Sequence, residues 1–225
     1  MKDSVVNFLR NLPPVHREGW VYVLIFLLAA LLLWQIYWLL GLLGLIATAW
    51  CGYFFRDPER VIPPRADAIV SPADGKVTAI EEVTPPAEMG LGTRKHKKIS
   101  VFLNIFDVHI NRVPCQGDII GRYYVPGQFL NAELDKTSQL NERMNVIIRR
   151  PDNTKIGVVQ IAGLLAKRIV CWKKEGEKVS RGERFGLIRF GSRVDTYLPM
   201  DADIRIGLGQ HVYGGETILA DLPEK

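Results

Sequence analysis

The chain has 225 residues, which is enough for one packed domain of ordinary size and a separate segment beside it. Its net charge of +5 is modest, and its densest basic run, Arg94–Lys98, is short and has no interleaved aromatic residues, which argues against a nucleic-acid-binding protein. The three cysteines, Cys51, Cys115 and Cys171, are far apart, which disfavours a disulfide framework or a zinc site and fits a reducing compartment.

An almost uninterrupted apolar run follows the first 19 residues. From Trp20 to Phe55 the one strongly polar side chain is Gln35. A stretch of about 20 apolar residues crosses a bilayer, and this run lacks the polar face of a soluble core helix. It is also longer than the apolar part of a signal peptide, which has about 7–15 residues. The sequence therefore predicts a membrane anchor over residues 20–55.

The anchor is too long for one crossing, since one straight helix of this length would reach about 54 Å. Two short crossings with a bend near Gly41 to Gly44 fit better, and one crossing with an interfacial segment remains open. Positive residues flank both ends of the run: Lys2, Arg10 and Arg17 before it, and Arg56, Arg60 and Arg65 after it. The positive-inside rule then predicts that the N-terminal tail, residues 1–19, and the region after the anchor both face the cytoplasm at the cell membrane.

A proline-rich linker, residues 56–65, leads into short β segments. From Ala66 onward, β-branched and aromatic stretches alternate with Gly, Pro and Asp, which favours a mostly antiparallel sandwich or barrel. The predicted strands are Ala68–Val70, Gly75–Val83, Lys98–Ile105, Asp118–Tyr124, Met144–Arg150, Thr154–Ile161, Ile169–Cys171, Arg184–Phe190, Val194–Leu198 and Glu216–Asp221. The best helix candidate in this part is Ala132–Glu142.

Two segments, residues 174–186 and 212–220, place glycines at tight turns and share a local pattern. They resemble the hammerhead turns of biotinyl and lipoyl carrier domains, but no lysine stands in the context that such a carrier needs. The sequence thus predicts a mostly β, sandwich-like or barrel-like domain with these turns over residues 66–225, behind an N-terminal transmembrane helical segment.

Four short segments hold residues that could carry chemistry. They are Phe54-Phe55-Arg56-Asp57-Pro58, Ser71-Pro72-Ala73-Asp74-Gly75-Lys76-Val77, Phe106-Asp107-Val108-His109-Ile110-Asn111-Arg112-Val113-Pro114 and Phe190-Gly191-Ser192-Arg193-Val194-Asp195. Taken singly, a Gly-Ser pair is usually a turn, a lone histidine is usually structural, and an aspartate before a glycine is usually a turn residue. What indicates a function is that all four segments occur together, in this order, behind an apolar anchor.

In this order the segments resemble the phosphatidylserine decarboxylase proenzymes, specifically their short bacterial and archaeal type. The resemblance runs from about Phe54 to Ala220 and includes residues 124–132 and 141–143. It implies a lyase of phospholipid biosynthesis that is made as a zymogen. The chain would cut itself between Gly191 and Ser192, leaving a large chain, residues 1–191, and a small chain, residues 192–225.

The resemblance also implies the cofactor and the substrate. Loss of CO₂ from an α-amino acid leaves an electron pair on the α-carbon, which needs an electron sink. In this family the sink is a pyruvoyl group made from the serine at position 192, and no metal is implied. Its ketone forms a Schiff base with phosphatidylserine, and the product is phosphatidylethanolamine. A phospholipid and the membrane are thus the expected partners, and a homo-oligomer is left open.

Ser192 needs a base, because a free serine hydroxyl is a poor nucleophile at neutral pH. By resemblance, His109 is the histidine and Asp74 the carboxylate that act with it. Longer members of the family carry two histidines in this segment, whereas this chain has only His109, with Arg112 close to the second position. Either His109 serves both self-cleavage and decarboxylation or another group takes one role, for which His211 is a candidate.

Two other functions compete with this interpretation. A membrane-tethered serine protease would need its serine early in the domain, whereas Ser192 begins the last 34 residues, 192–225. A non-catalytic, biotinyl-like β-domain on a membrane tether would stay uncut. The basic run Arg94–Lys98 is either a solvated loop or a patch that faces anionic lipid headgroups. We expect this run or nearby arginines to contact the lipid phosphate near Ser192.

Overall fold

The computed structural model describes residues 13–130, 132, 140–164, 168–189 and 191–223. The chain divides into two compact units, Met1–Glu59 and Arg60–Lys225. In the described residues, the main regular elements of the first unit are helices, and those of the second are β-strands with one 3-10 turn. The predicted mostly β fold behind an apolar N-terminal helix is thus confirmed. Most of the predicted tail and most of the predicted helix Ala132–Glu142 lie outside the described residues.

The apolar run forms two helices, α1 (Arg17–Ile36) and α2 (Trp38–Phe54). They make a hairpin, because the backbone amide of His16 donates to the carbonyl of Phe55 at 2.8 Å. Within the described part of the chain, α1 is the one helix long and apolar enough to cross a membrane, and α2 is apolar but has 17 residues. The length and composition of α1 are consistent with membrane association.

The hairpin bends at Tyr37, where the backbone is extended (φ −158°, ψ 124°), and not near Gly41 to Gly44 as predicted. Both glycines lie inside α2 and face α1. A Cβ atom at Gly41 would lie 2.6 Å from the Cβ of Trp34, and one at Gly44 would lie 2.7 Å from the Cβ of Ala30. Small residues let apolar helices approach closely, so these glycines serve packing and not the turn.

The described part of the second unit contains fourteen strands and one 3-10 turn, Ala87–Met89. The strands are β1 (Ala68–Val70), β2 (Gly75–Val83), β3 (His96–Leu103), β4 (Ile110–Arg112), β5 (Gly117–Val125), β6 (Arg143–Arg149), β7 (Lys155–Ile161), β8 (Ile169–Cys171), β9 (Lys178–Val179), β10 (Arg184–Ile188), β11 (Ser192–Leu198), β12 (Asp203–Ile204), β13 (His211–Val212) and β14 (Ile218–Asp221).

Eight strands form one antiparallel sheet in the order β13-β2-β3-β11-β7-β6-β5-β9, which curls as a half-barrel. Two three-stranded sheets, β1-β14-β12 and β4-β10-β8, complete the unit. Side chains alternate across β11, so Val194 and Leu198 join the main apolar core whereas Tyr197 joins a smaller cluster on the other face. All seven residues of β11 are buried, because β3 and β7 flank it.

Each of the ten predicted strands has a counterpart, and three have the predicted bounds: Ala68–Val70, Gly75–Val83 and Ile169–Cys171. Four strands, β4, β9, β12 and β13, were not predicted. β9, β12 and β13 have only two residues, which is too few for an alternating pattern to show, and β4 has three. The hammerhead turns remain a prediction.

Candidate active site

The antiparallel order brings several strand ends together at one end of the large sheet. β3 ends at Leu103, which pairs with Ser192, the first residue of β11. β7 ends at Ile161 beside the start of β11, and β2 begins at Gly75 beside the end of β3. The loops beyond these strand ends therefore surround Gly191 and Ser192. We call this the Ser192 end of the sheet.

Ser192 is fully buried, and its Oγ has no hydrogen-bond partner among the described residues. Leaving a buried hydroxyl without a partner costs about 1–3 kcal/mol. Gly191 has a φ of 51°, in the left-handed region that glycine adopts without strain. The structure thus places an uncommitted hydroxyl directly after a peptide conformation that favours glycine.

The carbonyl of Gly191 packs against the backbone of Gly163, which follows β7. A Cβ atom at position 163 would lie 1.9 Å from the carbonyl oxygen of Gly191 and 2.9 Å from its carbonyl carbon. Asn141 braces this loop, because its side-chain amide donates to the Ala162 carbonyl at 2.8 Å. The sequence pattern indicates no role for Gly163, because a single glycine after a strand looks like any turn glycine.

His109 is fully buried in the chain that leads on from β3. Its carbonyl accepts a hydrogen bond from the amide of Ile188 at 3.4 Å, four residues before Ser192. Its Nδ1 lies 3.0 Å from the carbonyl oxygen of Asp107. Because a carbonyl can only accept, Nδ1 carries the proton, and the neutral imidazole has its lone pair on Nε2.

Asp107 links the residues that the sequence singled out. Its carboxylate accepts hydrogen bonds from Nε2 of His211 at 3.0 Å and from the backbone amide of Asn104 at 2.8 Å. Its charge also acts on the carboxylate of Asp74. Asp107 lies in the His109 segment, but the sequence pattern indicates no role for it. Spacing could not show that its carbonyl meets one histidine and its carboxylate another.

Asp74 is buried just before β2, and two donors hold its carboxylate. The guanidinium of Arg60 donates at 2.7 Å and the backbone amide of Gly214 donates at 2.7 Å. Burial raises the pKa of Asp74 above its ordinary value, although Arg60 and Gly214 oppose that rise, and the charge of Asp107 adds to it. Asp74 and His109 are therefore brought to the same end of the sheet, where both neighbour Asp107.

A family model described as Phosphatidylserine decarboxylase matches residues 47–220 of this chain. The match covers more than three quarters of the sequence and contains Asp74, His109, Gly191 and Ser192. The chain belongs to the phosphatidylserine decarboxylase family. It is accordingly a decarboxylase of phospholipid biosynthesis, and its predicted family is confirmed. The short bacterial and archaeal type remains a prediction.

Arg112 is the residue that the sequence resemblance sets close to the second histidine of longer family members. Its side chain is buried, and its guanidinium donates to the carbonyl of Gly182 at 2.9 Å. Its backbone amide donates to the carbonyl of Pro72 at 2.8 Å. The arginine therefore ties the His109 segment to the Asp74 segment and to the turn before β10.

The basic run Arg94–Lys98 lies at the opposite end of the sheet. Lys98 pairs with Tyr197, whereas Leu103 pairs with Ser192, so the run ends about 17 Å from Ser192 along the strands. Lys98 also forms an ion pair with Glu81 at 2.9 Å. The expectation that this run contacts the lipid phosphate near Ser192 is therefore wrong.

A cavity of about 370 Å³ opens on the face of the sheet that Tyr197 occupies. Its polar lining includes Lys98, Arg143, Asn145, Arg193 and Asp195. The last two form a buried, two-pronged ion pair with contacts of 2.5 and 2.8 Å. Ser192, His109 and Asp74 do not line this cavity, so it is separate from the candidate active site of the decarboxylase.

The cysteines are free thiols. Burial raises the pKa of Cys115 to about 12 and also raises the pKa of Cys171, so both thiols are protonated at neutral pH. Within the described ranges, no group of three or more His, Cys, Asp or Glu side chains is placed to hold a metal ion. The groups gathered at the Ser192 end are a hydroxyl, imidazoles and carboxylates.

Proposed function

We propose that this decarboxylase converts phosphatidylserine to phosphatidylethanolamine after cutting itself between Gly191 and Ser192 and turning residue 192 into a pyruvoyl group. Family membership supports the reaction. The buried Ser192 hydroxyl, which has no described partner and follows the left-handed Gly191, is the observation that supports the site.

Self-cleavage begins with attack of the Ser192 Oγ on the carbonyl carbon of Gly191. The hydroxyl proton passes to a base, a C–O bond forms and the C–N bond breaks, which gives an ester and frees the amine of residue 192. Loss of the α-proton of residue 192 then breaks its Cβ–O bond, and Gly191 leaves as a carboxylate. Addition of water and loss of ammonia leave a ketone at position 192.

His109 is the proposed base for the first step. The Asp107 carbonyl holds the Nδ1 proton, which fixes the tautomer whose Nε2 can accept the hydroxyl proton. Asp74 is the proposed carboxylate of the site. Its raised pKa, caused by burial, is typical of a group that exchanges a proton during catalysis. His211 stays a candidate for the second histidine role, because it contacts the carboxylate of Asp107.

The ketone supplies the electron sink that loss of CO₂ requires. His109 is proposed to deliver a proton to the α-carbon of the lipid headgroup once CO₂ has left. We expect His109→Ala to lower CO₂ release from carboxyl-labelled phosphatidylserine by about 10²–10⁴-fold, even in molecules that have been cut. Normal turnover in a fully cut His109→Ala protein would remove His109 from the mechanism.

The membrane assignment is part of the same proposal. Residues 20–55 are the anchor, and the decarboxylase domain, residues 66–225, lies on the cytoplasmic side of the cell membrane. The charges that flank the run and the hairpin of α1 and α2 support this arrangement.

Intact mass of the denatured protein tests the cleavage directly. We expect two chains, residues 1–191 and 192–225, with no free amine on the small chain. Ser192→Ala should give one uncut chain. Ser100→Ala is the matched control, because Ser100 is also fully buried with no described hydroxyl partner, yet it pairs with Asp195 far from the cleavage site. An uncut wild-type chain would contradict the proposed self-cleavage.

A further inference from the structure

The loops around Ser192 expose large apolar side chains. Phe106 is 58% exposed, Leu140 57% and Leu164 65%. Each adjoins a residue described above: Phe106 precedes Asp107, Leu140 precedes Asn141, and Leu164 follows Gly163. We call these three side chains the apolar rim.

The rim is confined to one end of the large sheet. Phe106 follows β3, Leu164 follows β7 and Leu140 precedes β6, and all three strand termini lie at the Ser192 end. The opposite end of the sheet instead carries the basic run Arg94–Lys98. Beyond β11 at that end, the side chain of Met200 is 38% exposed. A cluster of exposed apolar side chains at one pole marks an interaction surface.

The substrate identifies what this surface meets. A phospholipid with two acyl chains stays in its bilayer, and Ser192 is fully buried, so the headgroup must enter from the Ser192 end while its acyl chains remain in lipid. Arg168 is exposed, and its carbonyl accepts from the amide of Arg189, two residues before Gly191. The same end thus offers apolar side chains for acyl chains and a guanidinium for a phosphate.

We propose that the Ser192 end is the bilayer-docking face of the β unit, with the apolar rim inserted among the upper acyl chains and Arg168 against headgroup phosphates. The inference rests on the proposed function, because it assumes that Ser192 acts on a membrane lipid. Docking lowers the apparent KM for lipid held in a bilayer. It does not change the chemical step once a headgroup is bound.

Two substrates separate docking from catalysis. The full chain is reconstituted in phosphatidylcholine nanodiscs and assayed for CO₂ release from long-chain phosphatidylserine in the disc, and from dihexanoyl phosphatidylserine below its critical micelle concentration. The double variant Phe106→Ser/Leu164→Ser should lose about tenfold or more in kcat/KM on the disc substrate, since each exposed side chain gives up its burial in lipid. Turnover of the soluble lipid and self-cleavage should stay at the wild-type level.

Matched variants control for the loss of exposed apolar surface and for folding. Met200→Ser removes an exposed apolar side chain beyond β11 at the opposite end of the sheet and should leave both activities unchanged. Phe106→Leu/Leu164→Met keeps the rim apolar and should keep disc activity. Equal activity of the serine double variant on the disc lipid, or an equal loss on both lipids, overturns the proposal.

The remaining outcomes are also decisive. A changed oligomeric state of the serine double variant, with no selective loss on the disc lipid, means that a second copy of the chain covers the rim, and overturns bilayer docking. A wild-type protein that is uncut and releases no CO₂ from either lipid contradicts the proposed function itself, and docking with it.

Discussion

Three buried hydroxyls on the large sheet, those of Ser100, Ser192 and Thr196, lack a described hydrogen-bond partner. What distinguishes Ser192 is its neighbours. Gly191 before it is in a left-handed conformation, and Gly163 allows the Gly191 carbonyl to approach the backbone closely. At the residue scale, the proposed cleavage site is therefore distinguished by two glycines as much as by the serine.

Gly163→Ala tests this point. A Cβ atom there would lie 1.9 Å from the Gly191 carbonyl oxygen, so the carbonyl must shift and cleavage should slow by about tenfold or more. The control is Gly207→Ala, because a Cβ atom at Gly207 meets no atom within 4 Å and the residue needs no left-handed conformation. The measurement is the rate at which the small chain appears after synthesis. Equal rates in the two variants would show that the close contact is unimportant.

The raised pKa of Asp74 gives a stability prediction with a definite sign. Above pH 3.8, the ordinary pKa, Asp74 loses its proton in the unfolded chain but keeps it in the folded chain until the pH reaches its raised pKa. The free energy of unfolding therefore falls as pH rises through the folded pKa. An asparagine cannot lose a proton. The unfolding temperature of Asp74→Asn minus that of the parent should therefore increase from about pH 3 to neutral pH.

The comparison is made in the uncut Ser192→Ala background, so that processing does not contribute. Asp67→Asn is the control, because a hydrogen bond from Arg65 lowers the pKa of Asp67. The stabilisation from ionised Asp67 is present above its unfolded pKa and is lost as pH falls. The unfolding temperature of Asp67→Asn minus that of the parent should therefore decrease from about pH 3 to neutral pH. If the two temperature differences change with pH in the same direction, the raised pKa of Asp74 is contradicted.

At the scale of elements, the proposed small chain is interwoven with the large one. It supplies β11 between β3 and β7, β13 beside β2, and β14 beside β1. Single contacts reinforce these strands, since Asp74 accepts from Gly214 and Asp107 from His211. Both carboxylates therefore bind the small chain as well as shaping the site.

We expect the two chains to stay together after cleavage, because removing β11 would expose seven buried residues and divide the large sheet. They should co-elute in native detergent and separate only at the urea concentration that unfolds the β unit. Asp195→Asn removes the buried ion pair between Asp195 and Arg193 and should lower the free energy of unfolding by about 3–5 kcal/mol. Loss of the small chain on simple dilution would contradict this account.

At the scale of the whole molecule, the first unit presents an apolar helical hairpin. Trp20, Leu32 and Ile36 are among many exposed apolar side chains on α1, which is the reverse of a soluble surface. The buried residues of α1, Gly19 and Ala30, are small. This division is typical of helices whose outer surface meets lipid.

The cut protein should therefore stay in the membrane pellet after high-salt and carbonate washes. Tags before residue 1 and after residue 225 should both be protected from protease in intact cells, because a hairpin returns the chain to its starting side. Release by salt alone would show that the apolar run is not inserted. Protease access to one tag only would indicate a single crossing.

The sequence by itself determined what depends on local composition and on the order of motifs. The apolar run required no tertiary information, since bilayer thickness sets its length. The ten predicted β segments were readable because β-branched residues and turn residues are local signals. The four motifs predicted the family, which the family model confirms, whereas the Gly191–Ser192 bond stays the proposed cleavage site.

Tertiary structure decided the contacts between segments distant in sequence. The close approach of Gly163 to Gly191 spans 28 residues, and the contact of His211 with Asp107 spans 104. The basic run was misplaced because sequence does not give strand register, and register sets Lys98 beside Tyr197, away from Ser192. Gly41 and Gly44 were read as a bend because a helix interface and a turn both use glycine, and only the packing of α1 on α2 distinguishes them.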